Sequence, residues 1–255
     1  MIAATIGRTF LKAFNEKYNC NYTPKQFFDE VYFETFYNHN KYMQWVTNSP
    51  FVQMKKGQKP ETLSKNERVE KLSDFHKKVS EGCKDASIAI GFAANESSEY
   101  ATTSGLVTDL IIDVSSDDIY YSWIGGGLGI GVAGGYSIYY NDGPLLLDTF
   151  EGWKVYRKYL NDTVLERMRG NQINTWNGQW LTFYLGKDYN EQFDFSFLTQ
   201  KEIFHSDAQL VEVNTVSWNE LFFSISRKYP DQSRTGYVYS LGQTNKTLGF
   251  YPILF

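Results

Sequence analysis

Cysteine is almost absent from this chain, and its scarcity limits the class of protein. Only two of the 255 residues are cysteine, Cys20 and Cys83, so the disulfide framework of a small secreted protein is not expected. Neither has a second cysteine or a histidine at the spacing of a zinc site. The first ten residues lack the basic, apolar and small-residue order of a signal peptide. We therefore expect a cytoplasmic protein with reduced cysteines.

An excess of positive charge is also missing. Lys and Arg total 25 against 29 Asp and Glu, which gives a formal charge of −4 and a pI near 5.5. A protein that coats nucleic acid needs the opposite balance, although a local basic face is compatible with these numbers. The 3 histidines form no HExxH or His-x3-His pattern, and no G-x-S-x-G sequence occurs. The chain therefore does not support a zinc protease or a serine hydrolase.

Aromatic rings and side-chain amides are the abundant groups. Phe, Tyr and Trp make up 17% of the chain, and 17 Asn and 11 Gln accompany them. Rings stack on bases and on sugars, while amides hydrogen-bond to base edges or to sugar hydroxyls. The composition therefore favours a specific binding surface, for nucleic acid or for carbohydrate.

Helix signals dominate residues 1–85. The sequence Thr23-Pro-Lys-Gln26 is a capping box with proline at the first helical position, and it predicts a helix that extends to about Tyr37. A second capping box, Ser64-Lys-Asn-Glu67, precedes apolar residues at helical spacing, and Gly82 is a plausible stop. We therefore expect a helical N-terminal part over residues 1–85.

After about residue 86 the pattern changes to that of short strands with interspersed helices. The sequence predicts an α+β fold in which residues 86–255 form a mainly antiparallel, strand-rich part. The predicted elements are strands at Ser87–Phe92 and Leu106–Val114, helices at about Thr149–Leu160 and after the capping box Ser217-Trp-Asn-Glu220, and a hairpin over residues 236–251 that turns at 242–246.

Residues 119–140 contain seven glycines and no charged residue, and three interpretations compete there. Gly129–Gly134 matches the G-x-G-x-x-G pattern of a dinucleotide loop and follows a strand-like segment, Ile119–Ile124. The segment is also long enough to cross a bilayer. Against these, Tyr136–Tyr140 resembles a strand rather than a phosphate-binding helix, and acidic residues lie on both flanks. We therefore expect a glycine-containing hairpin and no membrane span.

Carboxylates at neighbouring strand ends are the ligands that metal-dependent nucleases use for Mg²⁺. Glu212 and Asn214 lie two apart on a predicted half-buried strand, and Asp194 precedes Glu212 by 18 residues. This spacing resembles degenerate PD-(D/E)xK nuclease patterns, with Asn214 where the family has lysine. The resemblance implies Asp194, Glu212 and Asn214 as catalytic candidates and Mg²⁺ as cofactor, whereas otherwise no cofactor is evident. Solvated strand ends explain these acids, and a second acidic group at residues 109–118, without any metal.

Three stretches are rich in amides and aromatic rings, at residues 36–45, 170–180 and 241–246, and a lysine-rich loop follows the first. We expect the rings and amides to contact bases and the cations to contact phosphates. An alternative is that Trp176 and Trp180 anchor the core, with turn-forming Asn and Gly around them. The candidate nucleic-acid-binding residues are Lys55, Lys56, Lys59, Asn174, Trp176, Asn177, Gln179, Trp180, Arg234, Gln243, Asn245 and Lys246.

The expected function is intracellular nucleic-acid binding, as a component of a larger nucleic-acid-processing or defence assembly. A metal-dependent nuclease is one alternative, and a carbohydrate-binding or protein-interaction module is another. The apolar residues Tyr251–Phe255 predict a surface that a protein partner covers.

Overall fold

Helices occupy the N-terminal third of the chain and alternate with short strands after it, which confirms the α+β prediction. The computed structural model describes residues 1–46, 49–82, 88–95, 106–110, 113–241 and 247–254. The helices in these ranges are α1 (Ile2–Tyr18), α2 (the consecutive segments Pro24–Phe27, Phe28–Phe33 and Glu34–Phe36), α3 (Lys65–Ser80), α4 (Ser116–Gly127), α5 (Gly143–Leu160), α6 (Ile173–Tyr184), α7 (Phe195–Gln200) and α8 (Trp218–Lys228). The strands are β1 (Ala93–Asn95), β2 (Leu106–Thr108), β3 (Ile130–Val132), β4 (Tyr136–Tyr140), β5 (Phe204–Ser206), β6 (Val211–Val213), β7 (Thr235–Leu241) and β8 (Thr247–Leu254).

Capping side chains begin the helices that the sequence predicts. The hydroxyls of Thr23, Ser64 and Ser217 each accept a hydrogen bond from the backbone N–H three residues later, at the starts of α2, α3 and α8. Such bonds satisfy donors that have no partner inside the helix. Gly82, with φ of 90°, follows the end of α3. The predicted helix starts are confirmed. They could be predicted because a capping box depends only on neighbouring residues. Helix α2 contains a π-helical turn in its middle segment.

Two of the predicted elements need correction, one strand and one helix. The segment Ile119–Ile124, expected as a strand, lies inside helix α4, whose first turn is capped by Ser115. Almost the whole circumference of α4 is buried, so its apolar residues do not show the one-sided spacing of a surface helix. Helix α5 begins at Gly143 rather than near Thr149, because Asp142 caps its first turn. The expected turn after β4 therefore also starts a helix.

The strand predictions before α4 are only partly right. Residues 88–91 form turns instead of a strand, and Ser87 lies outside the described residues. Of the strand expected at Leu106–Val114, the structure shows β2, which pairs with β1 in the parallel direction. Residues 109, 110, 113 and 114 are not in a strand, and residues 111 and 112 lie outside the described residues. Both runs contain β-branched residues, but tertiary context overrides such local preference. This small sheet is an exception to the predicted antiparallel pairing.

The main sheet is antiparallel throughout and has the strand order β3-β4-β7-β8. The hairpin between β3 and β4 turns at Gly134 and Gly135, which have φ of 92° and 78° and therefore conformations that favour glycine. The predicted hairpin is confirmed over residues 130–140, and the G-x-G-x-x-G pattern is followed by a strand. The second hairpin, β7–β8, is also confirmed, although its turn at 242–246 lies outside the described residues. Strands β5 and β6 form a separate antiparallel pair.

The principal core joins the two sequence parts. Its largest cluster contains Phe10 of α1, Phe28 of α2, Trp123 of α4, Trp153 of α5 and Trp176 of α6, all fully buried. Aromatic rings in this cluster meet mostly edge to face or tilted, as ring quadrupoles favour. Residues before and after position 86 therefore share one hydrophobic interior.

A second, smaller core lies under the main sheet. It contains Ile130 and Ile138 of the first hairpin, Val238 of β7, Leu181 of α6 and Leu221 of α8. Helix α6 thus packs against both cores and connects them. Among the described helices, none is long and apolar enough to cross a membrane.

Candidate nucleic-acid interface

Most of the amide-rich stretch at residues 170–180 lies in helix α6, which begins at Ile173. Trp176 and Trp180, on α6, are 0% and 2% exposed. The Trp176 Nε1–H donates to the Gly152 carbonyl at 2.7 Å, and the Trp180 Nε1–H donates to the Asp148 carbonyl at 2.8 Å. Both indoles are therefore satisfied by the backbone of α5. The core-anchor alternative holds, and neither ring is accessible to a base in this structure.

The side chains of Asn174 and Asn177, beside these tryptophans, also form hydrogen bonds within the fold. Asn177 is fully buried, and its Nδ2 donates to the carbonyls of Gly127 and Gly129 at 2.8 and 2.9 Å. The Nδ2 of Asn174 donates to the Gly129 carbonyl at 2.9 Å. These amides satisfy carbonyls at the end of α4, where the helix has no partner for them. Their partners lie more than forty residues away in sequence, so spacing alone could not show this role.

Gln179 and Asn214, which arose from two different hypotheses, line the same cleft of about 460 Å³. The Gln179 Nε2 donates to the Asn214 carbonyl at 3.0 Å, and the Asn214 Nδ2 donates to the Glu202 carbonyl at 2.6 Å. Lys201 also lines the cleft and pairs with Asp188 at 2.7 Å. The cleft is polar, and the amide nitrogens of Gln179 and Asn214 each already donate one proton to a backbone carbonyl.

The acidic candidates have separate partners in the fold. Asp194 Oδ1 accepts from the Phe197 N–H at 2.8 Å and so caps α7. Glu212 Oε2 lies 3.1 Å from the Arg169 Nη1 in an ion pair. Among the described residues, no three His, Cys, Asp or Glu side chains form a group that could hold a metal ion. The PD-(D/E)xK resemblance therefore has no matching acidic cluster in this part of the chain.

The C-terminal candidates divide into one buried residue and three that are not described. Arg234 is only 5% exposed, with its Nε 3.0 Å from Asp142 Oδ2 and its guanidinium 4.2 Å from the centre of the Tyr229 ring. It holds the start of α5 against β7 rather than presenting a cation to phosphate. Gln243, Asn245 and Lys246 lie outside the described residues.

The lysine candidates remain on the surface. Lys55, Lys56 and Lys59 are exposed, and none of them forms an ion pair within the described ranges. They belong to residues 50–60, called here the lysine loop. The Lys71 Nζ of α3 anchors this loop by donating to the carbonyls of Pro50 and Gln53. The loop therefore presents three available cations from a fixed base.

Residues after the end of α2 form a second polar surface. Asn38, His39, Asn40 and Lys41 line a pocket of about 540 Å³ with residues 160–163 and Glu166, and we call it the amide pocket. This segment belongs to the first amide-rich stretch, residues 36–45. The composition of this stretch indicates binding, but its individual residues are not among the candidates named above, because nothing in the sequence shows what lies opposite them.

Two buried arginines lie behind this pocket. Arg68 and Arg157 are each 8% exposed, and neither pairs with a carboxylate within the described residues. The Arg157 Nε donates to the Thr35 carbonyl at 2.7 Å, and its Nη1 donates to Asn161 Oδ1 at 3.3 Å. Burial lowers the pKa of Arg157 to about 9, so the guanidinium remains charged at neutral pH. Neither arginine carried a sequence signal, because each is one of several charged residues on its helix.

Arg68 joins the amide pocket to the lysine loop. Its Nη2 donates to Asn40 Oδ1 at 2.7 Å and to the Pro60 carbonyl at 3.3 Å. Pro60 directly follows Lys59 at the end of the loop. The contact therefore links two features that are separate in sequence.

The pKa of His39 depends on its burial and on the charges near the pocket. Burial lowers its pKa most, the positive charges of Arg157 and Arg68 lower it further, and the pKa falls to about 4. A hydrogen bond to the backbone of Glu34 acts in the opposite direction. His39 is therefore neutral at physiological pH, and it lies beside cations rather than carboxylates.

One exposed aromatic ring lies at the end of the first amide-rich stretch. Trp45 is 47% exposed, and its indole lies 6.5 Å from the ring of Tyr42, measured between centroids. An accessible indole can stack on a base, and the indole of Trp176 is not accessible.

Comparison of the chain with protein-family models, curated proteins and solved structures finds no match.

Proposed function

We propose that the protein binds nucleic acid through the surface that combines the amide pocket, Trp45 and the lysine loop. The observation that carries the proposal is the bridging contact of Arg68 with Asn40 and Pro60. Through this contact, Pro60 and the adjacent Lys59 of the lysine loop are linked to Asn40 of the amide pocket. Cations supply most of the affinity for a phosphate backbone, and amides and rings supply contacts to bases.

Single-stranded nucleic acid fits this surface better than duplex. An exposed indole is available for stacking, which requires an unpaired or terminal base. The three lysines lie on a loop rather than on a helix or strand of the kind that enters a major groove. As proposed from the sequence, the location is the cytoplasm and the context a larger nucleic-acid-processing or defence assembly. A protein partner that extends the main sheet beside β8, its last strand, remains part of the proposal.

The test is fluorescence anisotropy with labelled single- and double-stranded DNA and RNA at two or more salt concentrations. The triple variant Lys55→Gln/Lys56→Gln/Lys59→Gln should weaken binding to single strands. It should also reduce the slope of log K against log salt by about 2, at about 0.7 per lost phosphate contact. Its control removes three exposed lysines from elsewhere, Lys12→Gln/Lys187→Gln/Lys228→Gln, with the same change in net charge.

Several outcomes would replace this function by another. Failure of the wild-type protein to bind any of the four nucleic acids at low salt would exclude it. Equal effects of the two triple variants would show that only net charge matters. Mg²⁺-dependent cleavage that disappears in Glu212→Ala would establish the nuclease alternative. Salt-insensitive binding to a neutral glycan would favour a carbohydrate-binding module.

A further inference from the structure

The orientation of the asparagine amides in the amide pocket is determined by charged partners. A guanidinium can only donate, so Arg68 faces the Oδ1 of Asn40, and Arg157 faces the Oδ1 of Asn161. The Nδ2 groups of Asn40 and Asn161 are therefore on the other side of each amide, and neither makes a hydrogen bond within the described residues. The pocket thus presents two amide donors whose direction is set from behind.

A third donor comes from Lys41. Its Nζ donates to the carbonyls of Leu165 and Glu166 at 3.2 and 2.8 Å, which leaves one proton of the ammonium for another acceptor. The Oδ1 of Asn38 is turned out by the same logic, because its Nδ2 donates to the Glu34 carboxylate at 2.8 Å. Asn40, Asn161 and Lys41 thus supply three donors, while Asn38, Asp162 and Glu166 supply acceptors.

The charges around the pocket separate by depth. The buried cations Arg68 and Arg157 lie behind the amides, and Lys41 is half-buried beside them. The carboxylates of Asp162 and Glu166 are exposed at the rim. Exposed carboxylates are screened by solvent, whereas buried charges act through a medium of lower polarity. The buried cations therefore favour an anion at the amides of Asn40 and Asn161, which are themselves exposed.

We propose that the amide pocket binds a phosphoryl group, with the Asn40 and Asn161 amide N–H groups and the Lys41 ammonium as donors. A phosphoryl group has several acceptor oxygens in a tetrahedral arrangement and can accept from three separate side chains. This inference rests on the proposed function for the source of the group, which is a phosphate of bound nucleic acid. The same chemistry fits a free mononucleotide or inorganic phosphate.

The first experiment titrates the full chain with inorganic phosphate at constant ionic strength, maintained with sodium chloride. The ring signals of His39, observed by NMR with labelled histidine, should shift saturably. The pKa of His39 should rise when an anion offsets the charges of Arg68 and Arg157. Chloride alone at the same ionic strength should have no comparable effect.

Two variants remove the proposed donors without removing the acceptors that hold the arginines. In Asn40→Asp and Asn161→Asp, the retained oxygen still accepts from Arg68 or Arg157, while the N–H donor is replaced by a carboxylate oxygen. Each should weaken phosphate binding by about tenfold or more, because a charged hydrogen bond is lost and a repulsive charge is added. Asn219→Asp on α8 is the matched control, because it makes the same charge change at an exposed position. Thermal unfolding of each variant checks that the fold is retained.

The results separate this inference from the proposed function. No saturable shift of His39 in the wild-type protein, or equal losses in Asn219→Asp and Asn161→Asp, would overturn the phosphoryl site even where oligonucleotides bind. Phosphate binding that is lost only in the pocket variants would support it even where oligonucleotides do not bind. A 5′-phosphorylated oligonucleotide, its unphosphorylated counterpart and a mononucleotide then identify the source, because the pocket variants should weaken only the ligands that occupy the pocket.

Discussion

The Arg68 Nη2 and the Asn40 Oδ1, 28 residues apart in the chain, are joined by a hydrogen bond of 2.7 Å. The same guanidinium holds the carbonyl of Pro60 and is almost completely buried. One side chain of α3 therefore maintains the relative position of the amide pocket and the lysine loop.

Replacement of Arg68 should weaken this arrangement. Arg68→Met retains much of the apolar stem but removes both hydrogen bonds, and we expect a loss of about 1–3 kcal/mol in the free energy of unfolding. Arg68→Lys keeps the charge without the planar fork, so it should restore stability only in part. Urea denaturation measures both effects. Unchanged stability and unchanged oligonucleotide affinity in Arg68→Met would show that the bridge has no role.

His39 should make the protein less stable as the pH falls from about 6.5 to 4. Its pKa in the folded protein is about 4, below its ordinary value of 6.5, so in this window the unfolded chain binds a proton that the folded chain does not. The contribution is fully present above pH 6.5 and is lost on acidification. His39→Gln should have a flatter pH dependence of unfolding free energy than the wild-type protein. Parallel curves for the two proteins between pH 4 and 7 would contradict this assignment.

Replacement of Trp176 should lower the stability of the protein, whereas replacement of Trp45 should weaken binding and leave stability almost unchanged. Trp176→Ala removes a fully buried indole, and we expect a loss of about 3–5 kcal/mol in the free energy of unfolding. Trp45→Ala removes a half-exposed ring, so stability should change by no more than about 0.5 kcal/mol. Loss of base stacking in Trp45→Ala should weaken binding to single strands by about 1–3 kcal/mol.

The milder variant Trp176→Phe, in conditions where it is folded, provides the control for binding. Its oligonucleotide affinity should equal that of the wild-type protein, because residue 176 is inaccessible. A specific loss of affinity in a stable Trp176→Phe would restore this residue as a base contact.

Helices α1 and α4 approach so closely that alanine should not be tolerated at two glycines. A Cβ atom on Gly7 would lie 2.0 Å from the Tyr121 carbonyl oxygen, and one on Gly125 would lie 1.9 Å from that of Ala3. Gly→Ala inside a helix normally stabilises by about 1 kcal/mol through propensity. Here we expect Gly7→Ala and Gly125→Ala to destabilise by about 1–3 kcal/mol or more, because the helices must separate.

Thr5→Ala is the control on the same helix, since Thr5 is exposed. It should change the unfolding free energy by about 0.5 kcal/mol or less. Thermal or urea unfolding compares the three variants. A stabilising effect of either glycine substitution would mean that the helices have room for a methyl group.

The lysine loop and the capping boxes illustrate what can be predicted from sequence. A cap at Ser64 depends on Glu67 three residues later, and the exposure of Lys55 follows from its charge and its turn-rich surroundings. The hairpin at residues 130–140 was similarly indicated by glycines between strand-forming residues. Each of these features depends on neighbours within a few positions.

Other residues could not be interpreted in this way. Asn177 is of a residue type usually found at the surface, yet it is buried because the carbonyls at the end of α4 need donors from α6. Ile119–Ile124 has strand-forming residues but is helical, because α4 is enclosed by its neighbours. Arg157 is one charged residue on a helix, and its role depends on the carbonyl of Thr35 and the amide of Asn161.

Short-range hydrogen bonding and periodicity are sufficient to predict the α+β class, the starts of three helices, two hairpins and the exposed lysines. Which amides are buried donors and which line a pocket depends instead on the packing of elements that are distant in the chain. The same packing makes Arg68 the link between that pocket and the lysine loop. These properties depend on partners 28 or more residues away, and burial of a polar side chain is determined by whether such a partner is present.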